Sequence, residues 1–186
     1  MATRNNQALC PDERMRSLLA AMKTRGDTDL EDALSAYPDD PRLHFLKGSG
    51  LAGRQDYVGA RAEMRRALDL SPGYAVARFQ LGLLLLTSGE AVAAQEAWGP
   101  LQSLPPDNFL RIFASGLCSL IRDDFTDAVE MLRQGMARNQ EIPAMNRDMQ
   151  MIIDELRGKL DEGIGGKPAS SVDLLLQQAA LKAAKH

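Results

Sequence analysis

The sequence is short of several residue types, and each shortage removes a class of protein. Aromatic residues make up only 5% of the 186 positions, as five Phe, three Tyr and one Trp. Two cysteines, Cys10 and Cys118, are too few for a disulfide scaffold, and two histidines, His44 and His186, leave little from which to build a metal site. No basic excess exists either. With 22 Lys+Arg against 25 Asp+Glu the formal charge is −3, which offers no footprint for tight nucleic-acid binding. The most apolar run, Leu81 to Leu86, has six residues, whereas a bilayer span takes about 20. The opening stretch, MATRNNQALCPDERM, lacks the apolar core of a secretory signal. A cytoplasmic setting follows as the expectation, with both thiols reduced and serving as small buried side chains. What remains, 45% hydrophobic and 25% charged, is ordinary globular composition and excludes disorder throughout.

What is present is repetition. A shift of 34 residues puts Gly48, Gly82 and Gly116 in one column, Ala60, Ala94 and Ala128 in a second, and Phe45, Phe79 and Phe113 in a third. Pro72 and Pro106 share a column that Gln140 breaks. Each unit reads as two helices. In the middle one, Phe79, Leu83 and Leu86 fall at i, i+4, i+7, with Leu81 and Leu85 on the opposite face, and Gly89 stands where a tight turn wants positive φ. Asp40-Pro41 reads as an N-cap followed by the proline favoured at the first helical position. Pro100 falls inside the second helix of unit two, which is therefore expected to bend or end near Trp98. No stretch alternates as strands do, so the fold is expected to be all-α.

At these residues the chain resembles the tetratricopeptide-repeat family, whose pattern is W-x2-L-G-x2-Y, then A-x3-F, then P. Unit two carries Leu81-Gly82, Leu85, Ala94, Trp98 and Pro106 in the matching slots, unit one Gly48, Leu51, Ala60, Met64, Ala67 and Pro72, and unit three Gly116, Ala128 and Leu132. The tryptophan slot departs, holding His44, Arg78 and Ile112, and Gly135 replaces a small helical Ala. The resemblance covers residues 41–140 and implies a right-handed superhelical solenoid of antiparallel helix pairs. Its three units run approximately over 41–74, 75–108 and 109–142.

The flanks read as caps. Residues 1–40 contain a helix pair, Met15, Leu18, Leu19 and Met22 marking the first helix before Gly26, and a Thr28-x-x-Glu31 capping box opening the second. This pair lacks the glycine and alanine columns and reads as a degenerate repeat or cap. Residues 143–160 suggest a closing helix along Met145, Met149, Ile152, Ile153 and Leu156. Residues 161–170, DEGIGGKPAS, fail the phosphate-loop pattern, because Asp161 stands where the loop's first Gly belongs and Pro168 follows Lys167. They read as a linker to a short amphipathic helix over 171–186.

The chemistry-bearing inventory is thin. Asp39-Asp40 and Asp123-Asp124 stand where repeats turn, and read as helix caps. His44 has no cysteine or aspartate one helical turn away, and no cation flanks Cys118 in sequence. Neither an enzyme, a cofactor nor a metal is expected. Binding is. In the family the first helices line a concave surface, so the resemblance implies a groove of Phe45, Phe79, Leu83, Leu86, Leu110, Phe113, Leu117 and Leu120. Those side chains need a cover: an apolar peptide or amphipathic helix of a partner protein, a second copy in a homodimer, or the 171–186 segment in cis. An adaptor or chaperone-like module is the leading expectation, with architectural likeness to type III secretion chaperones. A self-associating structural module is the alternative. Lys, Arg and Asn that grip a partner's terminal carboxylate in some family members are replaced here by Phe, Ser and Leu.

Overall fold

The structure, a computed structural model, describes residues 9–21 and 28–161. Among these there are nine α-helices and no strand, so the all-helical expectation holds. The expected 161–170 linker lies outside the described residues except for Asp161, and the 171–186 helix lies wholly outside them. The chain divides into two compact units, residues 1–81 and 82–186, with the division falling inside a helix.

The first unit holds α1 (Asp12–Ala21), α2 (Thr28–Ala36), α3 (Pro41–Gly53), α4 (Tyr57–Leu70) and the start of α5 (Ala75–Thr87). Helix α3 begins because Asp40 accepts the Arg42 backbone N–H at 2.9 Å while Pro41 occupies the first turn, where its missing donor costs nothing. Its two faces go different ways. Leu43 and Leu46 join Met15, Leu18, Leu30 and Ala33 in a core shared with α1 and α2. Gly48 faces α4, where a Cβ would stand 3.1 Å from the Ala60 carbonyl and 3.2 Å from the Met64 methyl. The N-terminal pair thus packs on the apolar face of α3 that carries Leu43 and Leu46.

The second unit holds the rest of α5, α6 (Ala91–Trp98), a 3₁₀ turn (Gly99–Ser103), α7 (Phe109–Ile121), α8 (Phe125–Arg138) and α9 (Pro143–Asp161). Helix α6 stops at Trp98 and Pro100 falls in the 3₁₀ turn, as expected of a residue that lacks the donor a helix interior needs. A methyl group at Gly82 would overlap the indole of Trp98. One at Gly116 would stand 3.2 Å from Leu132 Cδ2 and 3.3 Å from the Ala128 carbonyl. Helix α9 packs on α8 and buries Met145, Met149, Ile153 and Leu156. Asn139 fixes the turn between them. Its Oδ1 accepts from Ile142 N at 2.9 Å, and its Nδ2 donates to Ile142 O and Asn146 Oδ1, each at 2.8 Å.

The 34-residue period is written into the backbone. Helices α3, α5 and α7 start at residues 41, 75 and 109 and end at 53, 87 and 121. The turn after each is closed by the same hydrogen bond: Asp56 N to Leu51 O at 2.9 Å, Glu90 N to Leu85 O at 2.9 Å, Asp124 N to Ser119 O at 3.0 Å. Within each turn one residue has positive φ: Gln55 at 66°, Gly89 at 79° and Asp123 at 60°. Only the middle one is glycine, the residue that adopts this conformation without a steric penalty. Asp123 therefore shapes the turn rather than capping a helix. Asp124 precedes α8 without a side-chain capping bond, so the capping expectation for that pair is corrected, whereas Asp40 caps as expected.

Candidate functional site

The eight expected groove residues are largely interior. Phe79, Leu86, Phe113, Leu117 and Leu120 are 0% exposed and Leu110 is 3% exposed, while Phe45 and Leu83 are half-buried. An open apolar groove along all eight is not what the chain presents, because most already have their cover within one copy. Phe113 shows how. A Cβ at Gly135 of α8 would overlap its ring, so Phe113 lies against the second helix of its own pair. Gly135 stands where the family pattern has Ala because the ring takes that space. Phe109 meets Phe113 edge-on with centroids 6.0 Å apart, a geometry the ring quadrupoles favour. Leu81 and Leu85 on the other side of α5 are buried as well, so that helix hides both faces, as one that is apolar all round must.

Phe45 keeps a different company. Its ring lies 5.3 Å from that of Tyr74, tilted by 51°, and both are half-buried. Tyr74 holds the slot that Asp40 and Asn108 fill as N-caps one period to either side. It gives up a cap and supplies an aromatic wall. Burial pushes its hydroxyl pKa upward. Ser49 follows one turn after Phe45, its hydroxyl donating to the Phe45 carbonyl at 2.9 Å. The pair with its small neighbours keeps partial access to solvent, as do the more exposed Leu9, Leu19, Tyr57 and Val58 of the same unit, and Tyr74 is a member the sequence reading missed.

His44 is occupied. Its Nδ1 lies 2.7 Å from Glu63 Oε2 and its Nε2 lies 2.8 Å from the Pro38 carbonyl. Lys47 stands beside it, 3.3 Å from the other Glu63 oxygen and 3.0 Å from Glu31. The group ties α2, α3 and α4 together, and neither imidazole nitrogen faces an open site. Cys118 has a cation after all, Arg122 one turn on, but burial outweighs it and the thiol pKa is raised. Cys10 is buried at 1% exposure, and burial raises its thiol too. Among the described residues no cluster of His, Cys, Asp and Glu is grouped to hold a metal ion, and no helix is long and apolar enough to cross a membrane.

The strongest polar knot was not foreseen. The Asp40 side chain is fully buried, and its Oδ2 accepts from Cys10 N at 2.8 Å and from Arg42 Nη2 at 2.8 Å. Arg42 also donates to Cys10 O at 2.6 Å and to Asp12 Oδ1 at 2.7 Å. Burial pushes the Asp40 pKa up, yet the bonds from Arg42 and Cys10 together outweigh it and hold the carboxyl below its ordinary value. This knot fastens the segment before α1 to the start of α3. Its role is structural, since both Asp40 oxygens and the Cys10 carbonyl are engaged by the protein.

No protein-family model matches the sequence, and no curated protein matches it either. The family resemblance therefore rests on the sequence residues named above.

Proposed function

We propose that this chain is a protein-interaction module of the tetratricopeptide-repeat type, an adaptor or chaperone-like protein that holds an apolar segment of a partner. The supporting observation is the repetition in three dimensions. The same first-helix bounds recur every 34 residues, with the same closing bond and the same positive-φ position at 55, 89 and 123. A helix pair repeated in this way cannot bury its apolar face alone. Pairs that stack as a right-handed superhelix bury a continuous core and leave an extended surface, which is what such architectures use for binding.

The burial pattern narrows the contact. Of the eight groove residues, the reading now centres on half-buried Phe45, joined by Tyr74. The fully buried members support the fold beneath. A half-buried aromatic pair with a small-residue neighbour suits the apolar face of a helix or an extended strand. The cytoplasmic setting and the likeness to type III secretion chaperones belong to the same proposal. Self-association stays the alternative reading, with a second copy covering the same half-buried aromatic pair.

The test is Phe45→Ala. The ring is only half-buried, so helix content should survive, while affinity for an amphipathic apolar peptide falls roughly tenfold or more, the loss expected from a truncated aromatic anchor. Equal binding by the variant at equal helix content removes Phe45 from the contact.

A further inference from the structure

The second unit carries a cleft of about 490 Å³ lined by Thr126, Val129, Glu130 and Arg133 of α8 and Arg157 of α9. Its size falls within the range of small-ligand and peptide clefts, about 300–1,000 Å³. Arg133 and Arg157 are exposed, one from each of two packed helices, and neither guanidinium is paired among the described residues. Val129 is half-buried and supplies an apolar wall. Among the described lining residues, two guanidiniums against the Glu130 carboxylate leave one net positive charge. That balance matches a single carboxylate. A phosphate dianion would leave an excess negative charge beside Glu130, and a nucleic-acid strand needs a row of cations. Planar guanidinium groups are well suited to gripping carboxylates through paired N–H donors.

We infer that the α8/α9 cleft is a second docking site, taking a peptide segment of a partner protein that carries one Asp or Glu side chain beside an apolar residue. The carboxylate lies between Arg133 and Arg157, and the apolar side chain lies against Val129. Glu130 adds selectivity by repelling a second acidic group. This site stands independently of the Phe45 proposal, since it uses other helices and the opposite ligand chemistry.

The experiment is an NMR titration of the full ¹⁵N-labelled chain with the capped peptide Leu-Ala-Ala-Glu-Leu and with its Glu-to-Gln counterpart. The Glu peptide should shift the amides of Thr126, Val129 and Glu130 and the Nε signals of Arg133 and Arg157, and the Gln peptide should bind at least tenfold more weakly. Arg133→Gln and Arg157→Gln should each weaken the Glu peptide tenfold or more without changing the remainder of the spectrum. Both are exposed, so the fold does not depend on them. Equal binding of the two peptides, shifts confined to other helices, or undiminished binding by both variants overturns the site. Competition by inorganic phosphate at matching concentration overturns it as a peptide site and marks a general anion site. Displacement of signals from residues beyond 161 by the Glu peptide would make the chain's own end the occupant, and would overturn assignment to a partner. None of these outcomes bears on Phe45→Ala.

Discussion

Gly82 and Trp98 offer the sharpest test of how the helix pairs are held. The three repeat glycines face the same position on the following helix, which is Met64, Trp98 or Leu132. At Gly48 the nearest atoms to an added Cβ are 3.1–3.3 Å away, and two of the three belong to the flexible Met64 side chain. There the clash is small, and alanine's helix propensity returns about 1 kcal/mol, so Gly48→Ala should stay within about 1 kcal/mol of the parent. At Gly82 the added carbon would overlap a rigid indole that is 1% exposed and has nowhere to retreat. Overpacking of that kind costs about 1–3 kcal/mol or more, and the geometry places it at the top of the range, so Gly82→Ala should lose about 2 kcal/mol net. Trp98→Leu alone should lose about 2 kcal/mol through the cavity it leaves. The double variant recreates the glycine-site environment of the third pair, with Leu in the slot of Leu132, and should be at least about 1 kcal/mol more stable than the sum predicts. Urea unfolding followed by circular dichroism measures all four. Equal effects at Gly48 and Gly82, or additivity within about 0.5 kcal/mol, would refute the claim that these glycines exist to admit the second helix.

Other consequences follow from the same geometry. Gln55→Gly should raise stability by about 1 kcal/mol, because the turn holds residue 55 at a φ of 66°. Gly89→Ala should lower it by a similar amount, and Asp123→Gly should gain less than Gln55→Gly, since aspartate tolerates the left-handed region better. Thermal or urea melts of the three variants decide this. The depressed Asp40 pKa means that its contribution to stability is complete above the unfolded carboxylate value near 4 and is lost as the pH falls through the lower folded value. Asp40→Asn should flatten the acid limb of stability against pH, and Asp40→Ala should cost about 2–4 kcal/mol from a lost cap and charge-assisted bonds. An unchanged acid limb in Asp40→Asn would contradict the assignment. Asn139→Ala removes the bonds that set the α8–α9 turn and should cost about 2 kcal/mol. Hydrogen exchange should then report faster opening of α9 than of α3 and α4.

Much of the fold was legible in the residues because small side chains at fixed spacing have one physical meaning. Gly48, Gly82 and Gly116 mark where a second helix comes close, and the helix ends recur at the same 34-residue interval. Pro100 announced the end of α6 for an equally local reason. The turn column was half visible, since Gly89 signals positive φ but Gln55 and Asp123 do not. The groove was misplaced because α5 and α7 are apolar on both sides, and a helix without a polar face does not disclose which side meets its neighbour. Gly135 was the available clue. A glycine in an alanine slot made room for the Phe113 ring and turned it inward. Contacts such as Arg42 with Cys10, 32 residues apart, and the meeting of Arg133 with Arg157 across one cleft depend on how helices approach, which no local pattern contains.

The central claim is that this chain holds an apolar segment of another protein at the Phe45–Tyr74 surface. Its most direct measurement places a photo-crosslinking amino acid at position 45 of the full chain in the producing cell, with mass spectrometry of the adduct at peptide resolution. The account predicts one dominant adduct, joined at an apolar stretch of a different protein and lost when Tyr74 is replaced by Ala. Adducts only to a second copy of the chain, or no adduct at full expression and correct folding, would contradict it.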